Sequence, residues 1–165
     1  GTLHISANGG DIAIGKISDT ATGIKVSGTT GYLTSQQATL TKWLVEANTA
    51  GSGSPNVLTA AESATVLTNE GATAKNYHTL PTAAAGYEFT FIVQDADGMR
   101  VVANTGDTIR VIDKVTSSAG YIESTTIGAV VRLVSINATE WIATSIHGVW
   151  TDGTFTYDDT GSTTP

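Results

Sequence analysis

An all-β fold, an antiparallel sandwich or barrel, is predicted by three features of this chain: abundant threonine, glycine punctuation, and short runs of period-two alternation. Of 165 residues, 29 are Thr and 18 are Gly, while only 3 are Pro. Threonine branches at Cβ, which disfavours helix and suits a pleated, half-exposed surface. The length suffices for one full domain carrying a thinner extension, but not for two large cores.

Residues 2–33 alternate small apolar and polar positions, as in Leu3-His4-Ile5-Ser6 and Asp11-Ile12-Ala13-Ile14, broken by Asn8-Gly9-Gly10, Gly23, Gly28 and Gly31. Such a pattern describes short strands. Its large apolar residues are Leu3, Ile5, Ile12, Ile14, Ile17, Ile24 and Val26. Seven side chains at about 1.5–3 kcal/mol each cannot offset about 1–2 kcal/mol of backbone entropy per residue. This stretch is therefore expected to be an N-terminal β arm for attachment or oligomerisation, ordered where a partner surface covers it.

Residues 34–55 read as a short helix followed by a linker. Thr34 with Gln37 fits a capping box, and Leu40, Trp43, Leu44 and Ala47 fall on one helical face, although Thr39, Thr41 and Val45 favour strand. Ala50-Gly51-Ser52-Gly53-Ser54-Pro55 has linker composition.

Residues 56–157 are expected to form the main antiparallel domain. Tyr87, Phe89 and Phe91 alternate with Glu88, Thr90 and Ile92, placing three aromatics on one sheet face as the strongest core signal. Asp95-Ala96-Asp97-Gly98 predicts a hairpin into Met99–Val102, Asn104-Thr105-Gly106-Asp107 a further turn, and Asn137-Ala138-Thr139 and Asp152-Gly153 two more hairpins. Residues 158–165 have no apolar anchor and read as a flexible tail.

The net charge of −7, with basic residues scattered singly from Lys16 to Arg132, offers no stripe for phosphates, so neither nucleic acid nor anionic membrane is an expected partner. No apolar run approaches about 20 residues and Gly1-Thr2-Leu3-His4 lacks a leader's layout, so a soluble, unexported chain is expected. The absence of cysteine removes disulfides, thiolate nucleophiles and cysteine-based zinc sites.

Chemical motifs are sparse. His4, His78 and His147 form no local ligand pair, and Asp95-x-Asp97-Gly98 lacks the remaining ligands of a calcium loop. Asp158-Asp159 beside Asp152 read as a solvated acidic tail, with a weak surface cation site as the alternative, and Asn137-Ala138-Thr139 as a turn. Glu123 and Glu140 are candidate carboxylates for glycan hydrolysis only if a groove brings them face to face. No nucleophile elbow, phosphate loop or zinc-protease helix occurs. No catalytic residue, cofactor or metal is expected. The candidate ligand or interface aromatics are Trp43, Tyr121, Trp141, Trp150 and Tyr157.

Several segments carry a resemblance: Leu58-Thr59-Ala60-Ala61-Glu62-Ser63, Thr68-Asn69-Glu70-Gly71-Ala72, Thr79-Leu80-Pro81, Gly86-Tyr87-Glu88-Phe89-Thr90-Phe91, Gly106-Asp107-Thr108-Ile109-Arg110, Gly120-Tyr121-Ile122-Glu123-Ser124 and Trp141-Ile142-Ala143-Thr144. Together they make Leu58 to Trp150 resemble a module of tail-fibre and virion structural proteins of tailed phages and prophages. The resemblance implies a non-catalytic virion surface protein assembled in the bacterial host cytoplasm, either a capsid decoration or a tail fibre or spike subunit. It implies self-assembly, with a homotrimer favoured by the phage analogy, and partners such as the major capsid protein or tail proteins. The alternative is a receptor-binding module for host-surface carbohydrate.

Overall fold

The computed structural model describes residues 43–159. Contacts divide the chain into two units, Gly1–Thr41 and Lys42–Pro165, and the described residues belong to the second. The predicted arm, most of the predicted helix and the end of the tail lie outside the described residues.

Thirteen strands are described. The first six are β1 (Val45–Ala47), β2 (Asn56–Val57), β3 (Thr65–Thr68), β4 (Asn76–Thr79), β5 (Glu88–Ile92) and β6 (Met99–Val102). They are followed by β7 (Thr108–Val111), β8 (Lys114–Val115), β9 (Tyr121–Ser124), β10 (Val130–Ser135), β11 (Glu140–His147), β12 (Val149–Thr151) and β13 (Thr156–Asp158). They form two packed sheets, ordered β1-β3-β5-β10-β11-β7-β8 and β13-β12-β9-β6-β4-β2. This is the predicted all-β sandwich.

The sheets are mixed, which corrects the expectation of a purely antiparallel fold. Through β6 the chain alternates between the sheets at every strand, so β1, β3 and β5 pair in parallel in one sheet and β2, β4 and β6 in the other. The result is a two-sided coil whose strands recur every 21 to 24 residues: Val45 lies beside Val66, Thr65 beside Phe89, Asn56 beside His78 and Asn76 beside Met99. From β9 onward antiparallel pairing dominates, and the predicted hairpins at Asn137–Thr139 and Asp152–Gly153 join β10 to β11 and β12 to β13. One bulge interrupts β10 and β11, where Arg132 opposes Ser145 but Leu133 opposes Ala143.

The Asp95–Gly98 turn is present but is not a hairpin. β5 precedes it in one sheet and β6 follows it in the other, so the turn is a corner of the coil. Asn69, fully buried, fixes that corner. Its Nδ2 donates to the carbonyls of Asp95 and Gly98 at 3.0 and 3.1 Å, and its Oδ1 accepts from the amides of Gln94 and Asp95 at 2.7 and 3.0 Å. Asp-Gly supplies a positive φ, here +84° at Gly98, but the clamp decides where the next strand goes.

The segment read as a helix and linker also differs. Val45–Ala47 is a strand that pairs with β3, and the Asn48 amide continues the ladder by donating to the Thr68 carbonyl at 2.9 Å. In the described part of that segment, the edge of β3 outweighs the weak amphipathic pattern. Ala50 accepts from the Tyr77 amide at 2.7 Å and from Asn76 Nδ2 at 3.0 Å, so the Gly/Ser stretch is a loop inside the domain. The described residues hold one helical turn, a 3-10 turn at Ala60–Glu62, where Glu62 accepts from the amide and hydroxyl of Thr59.

Inward-facing residues fill the space between the sheets: Phe89, Phe91 and Val93 from β5 and its end, Val131 and Leu133 from β10, Ile109 and Val111 from β7, and Met99, Val101 and Ile122 from the opposite sheet. Phe89 sits 5.9 Å from Trp141 and 6.4 Å from Phe91, centroid to centroid, in tilted geometry.

Candidate functional site

The five aromatics singled out from sequence separate into three environments. Trp141 and Trp150 are 0% and 1% exposed and belong to the core, so they offer no surface to a ligand. Trp150 Nε1 donates to the His147 carbonyl at 3.1 Å. Tyr157 faces inward beside Trp150 and is half-buried against the core. Tyr121 is half-buried on the outward face of the six-stranded sheet, and Trp43 is 70% exposed just before β1.

Two surfaces result. The first is the outward face of the six-stranded sheet, where strand alternation turns Tyr77 of β4, Arg100 of β6, and Tyr121 and Glu123 of β9 away from the core. Register places Tyr77 beside Arg100, Arg100 beside Glu123, and Glu123 beside Thr151 of β12, in a row across four strands. The Arg100 guanidinium carbon lies 3.8 Å from the Tyr121 ring centroid and 5.3 Å from that of Tyr77. Glu123 accepts from Arg100 Nε at 2.6 Å and from Lys75 Nζ at 2.9 Å.

The charges of this row reinforce one another. Burial opposes ionisation of Glu123, but the hydrogen bonds from Arg100 and Lys75 outweigh it and hold the carboxyl below its ordinary range. The hydrogen bond to Glu123 likewise raises the pKa of Arg100. Arg100, Tyr77 and Lys75 were not singled out by sequence reasoning. The structure turns Arg100 outward in β6, where Met99 and Val101 are buried, and no local signal in the sequence pairs that strand with Tyr121–Ser124.

The second surface is the end of the coil formed by β1 and β2, each of which has a single strand neighbour among the described residues. Trp43, Leu44, Val45 and Val57 are all at least 60% exposed here. Between these strands the interior is polar. Glu46 accepts from Asn48 and Asn56 at 3.2 Å each, and Asn56 Nδ2 approaches His78 Nδ1 at 3.3 Å. His78 is fully buried, with its ring 5.5 Å from that of Phe91, and desolvation lowers its pKa to about 4. Among the described residues, the buried side-chain atoms His78 Nε2 and Asn76 Oδ1 have no hydrogen-bond partner.

The remaining motifs are structural. Glu123 and Glu140 lie on the outward faces of opposite sheets, where Glu140 pairs with Arg110, so no groove joins the two carboxylates. Asp95 Oδ1 accepts from the Asp97 amide within its corner. Asp152 caps its hairpin: burial opposes its ionisation, but hydrogen bonds from the amides of Phe155 and Thr154 and from the Thr154 hydroxyl hold its carboxyl below the ordinary range. Asn137 closes its turn by accepting from the amide and hydroxyl of Thr139. His147 pairs with Asp159 at the surface, far in sequence and in sheet from His78. Among the described residues no three His, Asp or Glu gather as a metal site.

No protein-family model matches the chain, and none of the curated proteins compared with it is similar.

Proposed function

We propose that this chain is a non-catalytic structural subunit that assembles with copies of itself on the surface of a particle, in the manner of a phage decoration or tail-fibre protein. The observation that carries assembly is the end of the coil. Two edge strands stand there side by side, both present exposed apolar side chains, and neither has the outward charge or bulge that often blunts an edge. The nearest acid, Glu46, is turned inward onto Asn56.

Backbone geometry favours strand addition at this end. The Leu44 carbonyl and the Asn48 amide bond to β3, so by alternation the amides of Val45 and Ala47 point away from it. Large apolar side chains this exposed are a mark of protein-protein contact. The virion setting, capsid or tail protein partners and three-fold symmetry come from the resemblance of Leu58 to Trp150 to phage structural modules, and closed symmetry is the general rule for homo-oligomers.

Light scattering after size-exclusion chromatography of the whole chain tests the proposal. An oligomer at micromolar concentration, reduced to monomer by Val45→Lys with Val57→Lys, is the expected result. A wild-type monomer, or an oligomer that both substitutions leave intact, overturns it.

A further inference from the structure

We propose that the outward face of the six-stranded sheet binds an acidic saccharide, with Arg100 receiving a sugar carboxylate between the rings of Tyr77 and Tyr121. This inference is independent of assembly, because it concerns a different face from the β1 and β2 edge.

Of the described cations, Arg110 pairs with Glu140, Arg132 with Glu88 and Lys114 with Asp113, each one to one. Lys75 and Arg100 instead share the single carboxylate of Glu123, leaving a local excess of one positive charge on a chain whose net charge is −7. An anion is the complementary ligand, and local excess against an acidic background fixes where it would settle.

Arg100 contacts Glu123 through Nε, and among the described residues neither of its terminal nitrogens has a hydrogen-bond partner. The guanidinium is already held by the Glu123 contact and by stacking on Tyr121, so little side-chain freedom is lost when those two nitrogens take a planar carboxylate in a forked pair of hydrogen bonds. The site is preorganised for that one group.

The surroundings of Arg100 suit a sugar rather than a simple anion. Two half-buried tyrosine rings flank the guanidinium, and Thr151 continues the row beyond Glu123. Aromatic rings offer apolar surface to the C–H faces of a pyranose, while the tyrosine hydroxyls and the Glu123 carboxylate serve its hydroxyl groups.

Isothermal titration of the whole chain with a hexuronic acid oligosaccharide, its carboxyl-reduced counterpart and a polyphosphate of similar length tests the proposal. The acidic oligosaccharide is expected to bind at least ~10-fold more tightly than either comparator, with affinity falling as salt rises. Arg100→Lys keeps the charge but not the fork and is expected to weaken binding ~10-fold, and Tyr121→Leu similarly, with the circular dichroism spectrum unchanged. Equal binding of the reduced sugar, equal or tighter binding of polyphosphate, absence of binding at millimolar concentration, or full retention of affinity in Arg100→Lys each overturns it. Should Tyr121→Leu fail to fold, Arg100→Lys alone decides.

Discussion

Asn48 and Asn69 occupy the same place in successive turns of the coil. Register sets Ala47 beside Thr68, so the asparagine after β1 stands beside the asparagine after β3. Asn48 Oδ1 accepts from the Ala50 amide and from Asn76 Nδ2, while Asn69 makes four hydrogen bonds to the corner between β5 and β6. Each asparagine turns the chain from one sheet toward the other.

Asn69→Ala is expected to destabilise the fold by about 3 kcal/mol or more, because it strands buried amides and carbonyls together. Asn48→Ala, whose side chain is half-buried, should cost about 1 kcal/mol. Urea unfolding midpoints measure both. Equal effects would contradict the role of Asn69 in fixing the corner.

Phe89→Ala and Phe91→Ala are each expected to cost about 3–5 kcal/mol, since both side chains are fully buried between the sheets. A melting temperature unchanged within a few degrees would refute that packing.

These two phenylalanines show how much of the fold was legible. Alternation from Tyr87 to Val93 marks a half-buried strand whatever its neighbours, and the buried face follows from it. Pairing was not legible in the same way. Asp95–Gly98 has hairpin composition, yet the decision to cross to the other sheet is made by the side chain of Asn69, 26 residues earlier. The Val45–Ala47 strand was hidden for a related reason: its partner, β3, lies some twenty residues away and supplies the pairing that local propensity did not. At the candidate site, Tyr121 was visible as an aromatic, but its stacking on Arg100 depends on the register of β6 with β9.

Gly98→Ala is expected to destabilise by about 2 kcal/mol or more. The position has φ +84°, and an added Cβ would lie 2.7 Å from the Ser124 carbonyl and 2.8 Å from Thr125 Cγ2. Gly71→Ala has the same strain at φ +76° but open space, so it should cost less. Equal losses would show that the close approach to Ser124 and Thr125 carries no penalty.

Acid should weaken the domain through His78. The unfolded chain takes up this proton near pH 6.5 and the folded chain only near pH 4, so stability falls as pH drops through that interval, by about 3 kcal/mol in all. Glu46 reaches His78 only through Asn56, so its carboxylate does not neutralise the imidazolium directly. His78→Leu is expected to flatten the dependence of the urea midpoint between pH 7 and pH 4.5. An unchanged slope in that variant would assign the acid sensitivity elsewhere.

Assembly through the β1 and β2 edge can be read from amide hydrogen exchange at Val45 and Ala47 in the whole chain as concentration is varied. Exchange at these two amides is expected to slow as concentration rises, while the core amides of β5 and β10 stay unchanged. Exchange at Val45 and Ala47 that is independent of concentration, in a sample shown by light scattering to be oligomeric, would contradict it.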